Sequence, residues 1–275
     1  MADHSKNIVY LVTGANRGIG LAVIYLLAAR PNTTVLATAR SLPTDDDNNQ
    51  SSVFSSIVCH ESSSLIPILL DETKPAISSS TLPARLSSAG IEHINIVIAN
   101  AGTATNGFKS VFDTTEEDYR NDFEVNTLGP IRLFKGIHGL LEKGAEVSGQ
   151  ESKFVVVGSS VGSTGGLVTA EGEMEGGMLV CGSYGLSKAG VQWWVMKLRA
   201  ELKGKGGEGK VVVGVVHPGW VKTEMGQGLA DAVGFRAGPP LGVEESATGV
   251  VEQVDKLTME NSGQFWRWDG GVLPW

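Results

Sequence analysis

A doubly wound α/β fold, a parallel sheet of about seven strands with helices on both faces, is predicted by three features of the chain. Short apolar runs rich in Val and Ile recur along it, helical stretches separate most of them, and the first run feeds a glycine turn that opens a helix. The runs fall at 8–12, 34–39, 65–70, 94–99, 154–157 and 211–216, with a seventh at 264–268. Runs this short and apolar on both faces suit strands buried in a parallel sheet. At 275 residues, a single domain spanning 1–275 can bury one sizeable core.

The first run leads into Thr13-Gly14-Ala15-Asn16-Arg17-Gly18-Ile19-Gly20. Positions without side chains let the backbone approach a pyrophosphate, and the free N–H groups of a helix opening near Gly18 point at its negative charge. That helix continues through Leu21 to Arg30 and stops at Pro31-Asn32. Its G-x-x-x-G-x-G spacing is wider than the G-x-G-x-x-G dinucleotide fingerprint. Further on, Thr114-Thr115-Glu116-Glu117 reads as a capping box, followed by Tyr119, Phe123, Leu128, Ile131, Phe134 and Leu141 at roughly helical spacing. Another long helix carries Tyr184 and runs through Trp194, Val195 and Leu198 to Glu201. Two segments break the regularity and read as insertions. Residues 41–64 are rich in Ser, Asp and Asn and suggest a solvated loop around a weak helix; residues 162–183 are rich in Gly and Glu and form a candidate substrate lid or wall.

The net charge of −8 argues against a nucleic-acid surface and against an anionic membrane. The two cysteines, Cys59 and Cys181, have no metal-ligand spacing and suit a reducing compartment. Residues 1–6 run directly into the first strand without a signal peptide, and no apolar run reaches membrane-spanning length. The expectation is a cytoplasmic protein with no metal.

Chemistry concentrates at Tyr184-Gly185-Leu186-Ser187-Lys188. Of the four tyrosines, only this one has a lysine four residues on, and i, i+4 residues share a helix face. A cation beside a phenol favours the phenolate and draws its pKa down toward the range of a general acid or base. Open α/β sheets bind ligands at the carboxyl ends of their strands, and polar segments occupy those positions here. Asn100 follows the fourth run, Ser160 the fifth, and Pro218-Gly219 the sixth. His217 reads as a core or hydrogen-bonded histidine, and Trp193, Trp194, Trp266 and Trp268 as packing residues.

These motifs together resemble the short-chain dehydrogenase/reductase family over nearly the whole chain. The family pattern of a T-G-x-x-x-G-x-G turn, N-A-G, a helix Asn, a strand-end Ser, Y-x-x-x-K and P-G appears in order as Thr13 to Gly20, Asn100-Ala101-Gly102, Asn126, Ser160, Tyr184 with Lys188, and Pro218-Gly219 with Thr223. The resemblance implies a Rossmann-type fold and a catalytic set of Asn126, Ser160, Tyr184 and Lys188. In this set Tyr184 gives the proton, Lys188 holds the nicotinamide ribose, and Asn126 anchors a water chain to the lysine. Ser160 occupies the second-serine position of the family's pair, and Ser159 stands next to it, able to play the same part. The cofactor is expected against Gly14, Asn16, Arg17, Gly18, Ile19, Gly20, Asp71, Asn100, Ala101, Gly102, Pro218, Gly219, Val221 and Thr223, besides Tyr184 and Lys188. Arg40, where an acidic residue would favour NAD, pairs with Arg17 as a cradle for a 2′-phosphate, so NADPH is the expected cofactor. Trp220 and Met225 begin the substrate-binding loop and are candidates for an apolar pocket wall. The ending, residues 262–275, resembles a subgroup of fungal reductases similar to norsolorinic acid ketoreductase, which act on aromatic polyketide ketones.

The expected activity is NADPH-dependent reduction of a ketone, aromatic or polyketide-derived, in secondary metabolism. The alternatives are a non-redox isomerase, cyclase or dehydratase using the same site, and an NADP-binding regulatory protein. Wide apolar faces on the helices near Thr115 and Tyr184 suggest a homodimer or homotetramer, with Leu273-Pro274-Trp275 near a subunit boundary.

Overall fold

The computed structural model describes residues 7–41, 53–71, 81–169, 180–204 and 210–275. Its strands are β1 (Ile8–Val12), β2 (Thr33–Ala39), β3 (Ser64–Leu69), β4 (Ile96–Ala99), β5 (Ser152–Val157), β6 (Val211–His217) and β7 (Phe265–Arg267). They form one seven-stranded sheet in the order β3-β2-β1-β4-β5-β6-β7, every neighbouring pair parallel. The order reverses between β1 and β4, which is where an open parallel sheet forms its ligand crevice. The expected strands are all present. β4 starts two residues later than its apolar run because Asn95 uses its side chain on neighbouring backbone: Oδ1 accepts from Val9 N at 2.9 Å and Nδ2 donates to the Gly144 carbonyl at 3.0 Å.

Strand side chains alternate between two cores. Tyr10, Val12, Ile98, Val155 and Trp266 pack against α1 (Gly18–Ala28) on one face. Val9, Leu11, Val97, Phe154 and Val156 face α2 (Leu82–Ser88), α4 (Gly129–Ser148) and α6 (Gly182–Gly204) on the other. Phe134 and Trp194 meet Phe154 edge-on, with ring centroids 5.1 and 6.2 Å away, so much of the apolar surface expected at an interface is spent on the sheet. Phe123 and Trp193 remain exposed.

Three details depart from the sequence expectation. The capping box closes on Asp118 rather than Glu117: Thr115 accepts from Asp118 N at 3.2 Å, and the Asp118 carboxylate accepts from Thr115 N at 3.0 Å. The long helix from Thr115 is interrupted, since α3 (Glu116–Phe123) passes through a π turn (Glu124–Leu128) before α4 begins. In the first insertion, a short 3₁₀ turn (Val53–Ser56) and Ile57 bury Phe54 and Ile57 in the core, so this stretch is packed; residues 42–52 lie outside the described residues.

The second insertion starts with α5 (Thr164–Thr169), and its residues 170–179 lie outside the described residues. The α5 entry holds the tail. Ser163 Oγ donates to the Pro274 carbonyl and Gly165 N to the Trp275 carbonyl, each at 2.5 Å, while the Trp275 ring lies 5.5 Å from Phe265. The tail thus has partners within its own chain.

Where β5 and β6 end, buried side chains replace the missing ladder partners. Gln192 Oε1 accepts from Ser159 N at 3.0 Å, and His217 Nδ1 accepts from Ser160 N at 3.3 Å. A ring that accepts through Nδ1 must be neutral, and burial, helped by the Arg267 charge, pushes the His217 pKa down to about 4. Unfolded His217 would bind a proton well above that pH, so its contribution to stability is present above about pH 6.5 and is lost as pH falls toward 4. Urea unfolding across this range is expected to lose on the order of 2 kcal/mol that a His217→Asn variant, which keeps an acceptor without titrating, does not lose. Parallel pH slopes for the two proteins would contradict this assignment.

Candidate active site

The segments leaving β1, β4, β5 and β6 converge on one cavity of about 1570 Å³, larger than the roughly 300–1,000 Å³ that a single drug-sized ligand fills. Its first wall is the glycine turn. Gly14 and Gly18 hold φ of +61° and +56°, and a Cβ at Gly20 would sit 2.3 Å from the Gly14 carbonyl oxygen. Only glycine keeps this turn tight. The turn is pinned to the β4 exit, where Asn100 Nδ2 donates to the Thr13 carbonyl at 2.9 Å and Thr13 Oγ1 accepts from Ala101 N at 2.9 Å. No side chain caps α1 among the described residues, and its first turn carries no acidic residue, leaving N–H groups of Gly18 onward for an anion.

Gly14, Asn16, Arg17, Gly18 and Ile19 line the cavity with Arg40, Asn100, Ala101 and Gly102. On the opposite side it is lined by Tyr184, Lys188, Pro218, Thr223 and Met225. Arg17 pairs with Glu224, the first residue of α7 (Glu224–Ala232), across the mouth. Thr223 caps that helix, accepting from Gly226 N at 3.1 Å.

Other expected residues stand behind this surface. Gly20 supports the turn from inside, and Asp71 follows β3 beyond Leu70, which is the lining residue there. Gly219 has φ +86° and its Cβ would lie 2.6 Å from Leu241, so it serves a tight turn. Val221 is buried and bridges to Leu241. Trp220, expected as pocket wall, turns away: its Nε1 donates to the Gly226 carbonyl at 2.9 Å and its ring packs 5.2 Å from Phe235. It braces α7, and of the two expected substrate residues Met225 alone lines the cavity.

At the catalytic set the structure distinguishes the two serines. The Ser159 hydroxyl hydrogen-bonds the Tyr184 phenol, whereas Ser160 starts a 3₁₀ turn (Ser160–Gly162) with its amide on His217. The expectation for Ser160 therefore passes to its neighbour. Gly158, between β5 and the two serines, is packed against Val215, where a Cβ would lie 2.3 Å from its side chain. Lys188 is buried; its Nζ donates to the Val157 carbonyl at 2.9 Å and lies 5.8 Å from the Tyr184 ring centroid. Contrary to the expected depression by this cation, burial holds the phenol above its usual pKa, with the Ser159 hydrogen bond acting against the rise.

Asn126 sits within the π turn and packs behind the cavity, where a Cβ on Gly102 would be 3.2 Å from its Oδ1 and 3.3 Å from Lys188 Nζ. Its Oδ1 accepts from Thr103 N at 2.8 Å, and its Nδ2 donates to the Thr103 carbonyl at 2.8 Å and to Ser187 Oγ at 2.9 Å. π turns recur at functional sites because the extra residue re-aims a side chain. Sequence reasoning also missed Phe108, which lines the cavity with its ring edge-on to Tyr184 at 5.5 Å.

Comparisons with known proteins agree with this geometry. The family model described as short chain dehydrogenase matches residues 8–233. A norsolorinic acid ketoreductase from Dothistroma septosporum is 34% identical, with 98% of this chain and 94% of the relative covered. One from Aspergillus parasiticus is 30% identical, with 97% and 91% covered. The NADPH-bound carbonyl reductase from chicken fatty liver superimposes with a TM-score of 0.78 at 27% identity, covering 98% of this chain and 100% of that one. With its parallel sheet, glycine turn and Tyr184-Lys188 pair, the chain belongs to the short-chain dehydrogenase family and is an oxidoreductase.

Proposed function

We propose that the chain reduces a ketone to an alcohol with NADPH, Tyr184 acting as proton donor. The observation that carries this reading is the Tyr184 phenol, hydrogen-bonded to Ser159 on the wall of the cavity that the glycine turn opens. The fit to a dinucleotide rests on the uncapped start of α1 and on glycines whose Cβ atoms would fill the turn. Gly14, Asn16, Gly18 and Ile19 would hold the pyrophosphate, Asn100 to Gly102 would line the cofactor between the glycine turn and Lys188, and Lys188 and Thr223 would hold the nicotinamide end, with Arg17 and Arg40 at a 2′-phosphate. When bound, NADPH supplies the hydride to the carbonyl carbon.

The chain's own residues handle the oxygen. Tyr184 gives it a proton as negative charge develops, and the Ser159 hydroxyl supports that charge by donating a hydrogen bond. A raised pKa keeps the phenol protonated at neutral pH, the form that reduction requires. The Lys188 ammonium and Ser159 then stabilise the phenolate left behind, while Asn126 fixes the backbone at Gly102-Thr103 beside them. Phe108, Met225 and Gly228 line the substrate side, and a Cβ on Gly228 would lie 3.9 Å from the Phe108 ring. This apolar slot, with the names of the fungal relatives, supports an aromatic or polyketide-derived ketone of secondary metabolism as substrate. Two cysteines with no metal-ligand spacing support a cytoplasmic location, and among the described residues no helix is long and apolar enough to cross a membrane. Exposed Phe123 and Trp193 support a homodimer or homotetramer, which a particle mass of 28.9 kDa in solution would contradict.

NADPH oxidation against a panel of aromatic and aliphatic ketones tests the activity. Tyr184→Phe is expected to lower kcat by about a hundredfold or more while leaving NADPH affinity within about twofold, because it removes a proton and little contact area. Cofactor binding without turnover of any carbonyl by the unaltered protein would shift the reading to a non-redox enzyme or an NADP-binding regulator.

The joint Arg17→Ala and Arg40→Ala change is expected to weaken NADPH about tenfold or more relative to NADH, the size of one charge-assisted contact near solvent. Calorimetric titration with both nucleotides measures the ratio. Equal losses would remove these arginines from 2′-phosphate recognition.

A further inference from the structure

The segment after β4, residues 103–109, has no regular secondary structure, yet it supplies Thr103, Ala104, Gly107 and Phe108 to the cavity. It doubles back at Asn106 and Gly107, which hold φ of +57° and +80°. Side chains at four-residue intervals along α3 and the π turn hold it from behind. Asn126 takes both backbone groups of Thr103, Asp122 Oδ1 accepts from Thr105 N at 2.7 Å, and Asp118 accepts from Asn106 Nδ2 at 2.7 Å and Lys109 Nζ at 2.9 Å.

Asp122, like Asn126 through Ser187, also reaches α6, and it does so next to the phenol. Oδ2 accepts from the Ser183 hydroxyl at 2.6 Å, and Ser183 immediately precedes Tyr184 in the first turn of α6. One fully buried carboxylate therefore joins the loop that ends at Phe108 to the helix that carries the phenol. Both of these partners are neutral, an amide and a hydroxyl. Burying a carboxylate on neutral partners is expensive, and an apolar side chain would fill the same space with less desolvation. What it does provide is two short, directional hydrogen bonds that fix two chain segments to each other. The Phe108 ring of that loop meets the Tyr184 ring of that helix edge-on, with centroids 5.5 Å apart.

We propose that Asp122 is a positioning residue that sets the Phe108 wall against the Tyr184 phenol and thereby the width of the slot a carbonyl substrate enters. The proposal rests on the reading of this cavity as a carbonyl-reducing site. Asp122 touches neither cofactor nor substrate; it acts through Thr105 and Ser183.

The test uses the full chain with NADPH bound and three variants. Asp122→Ala removes both bonds; Asp122→Asn keeps an acceptor for Thr105 N and a polar partner for Ser183; Ser183→Ala removes only the α6 side of the tie and loses little packing. Hydrogen exchange of a peptide covering 103–109 is expected to quicken about tenfold or more in Asp122→Ala, with Asp122→Asn close to the unaltered protein. With an aromatic ketone from the panel, KM is expected to rise about tenfold in Asp122→Ala and severalfold in Ser183→Ala, with kcat less affected and NADPH affinity within about twofold. Unchanged exchange and KM in Asp122→Ala would overturn the proposal. So would a KM for Ser183→Ala equal to that of the unaltered protein, which also decides the matter if Asp122→Ala does not fold. If the unaltered protein reduces no carbonyl, the proposed activity fails, and the exchange comparison still decides whether Asp122 ties the two segments.

Discussion

Where the parallel ladder of this sheet stops, the main-chain groups of β1, β4 and β5 lose their strand partners while still inside the protein, and side chains take over. Asn100 serves the Thr13 carbonyl, Thr13 serves Ala101 N, Lys188 serves the Val157 carbonyl, Gln192 serves Ser159 N and His217 serves Ser160 N. A buried polar backbone group left unpaired costs about 1–3 kcal/mol, so the sheet cannot end at this edge without such residues. The requirement that completes the fold is also what brings Asn100 and Lys188 to one cavity, with Ser159 buried beside the Tyr184 phenol. The edge that needs these side chains is the one at which open parallel sheets in general bind ligands.

The electrostatics of Tyr184 follow from that arrangement. Lys188 is held by the Val157 carbonyl beside the tyrosine ring, and its charge does not offset the burial of the phenol. Burial keeps the proton on, and Ser159 favours its departure. A donor that holds its proton until a developing alkoxide draws it away suits reduction. On the proposed reading, the same Ser159 hydroxyl would serve the phenolate and a substrate oxygen in turn.

Much of this was legible in the chain. Two-sided Val and Ile runs marked every strand, and the turn from Thr13 to Gly20 and the Tyr184-Lys188 interval pointed to residues that line one cavity, because these signals are local and periodic. The misses arose from contacts made across the sequence. Trp220 faces Phe235 instead of the cavity, Phe108 reaches Tyr184 only because a distant acidic helix holds its loop, and the π turn at Asn126 has no signature in residue spacing. The choice between Ser159 and Ser160 depended on Tyr184 meeting the first hydroxyl and His217 the second amide, contacts made across the sequence. The tail showed its apolar character in sequence, but its partner, the entry to α5, became visible only in three dimensions.

The account stands most directly on Ser159 as the hydroxyl that works with Tyr184, and steady-state turnover of Ser159→Ala beside Ser160→Ala on one ketone measures it. Loss of a preorganised oxyanion donor is worth about 10²–10³ in kcat, so Ser159→Ala is expected to fall by that amount while Ser160→Ala stays within a few fold of the unaltered protein. A large loss in Ser160→Ala with Ser159→Ala still active would contradict the account.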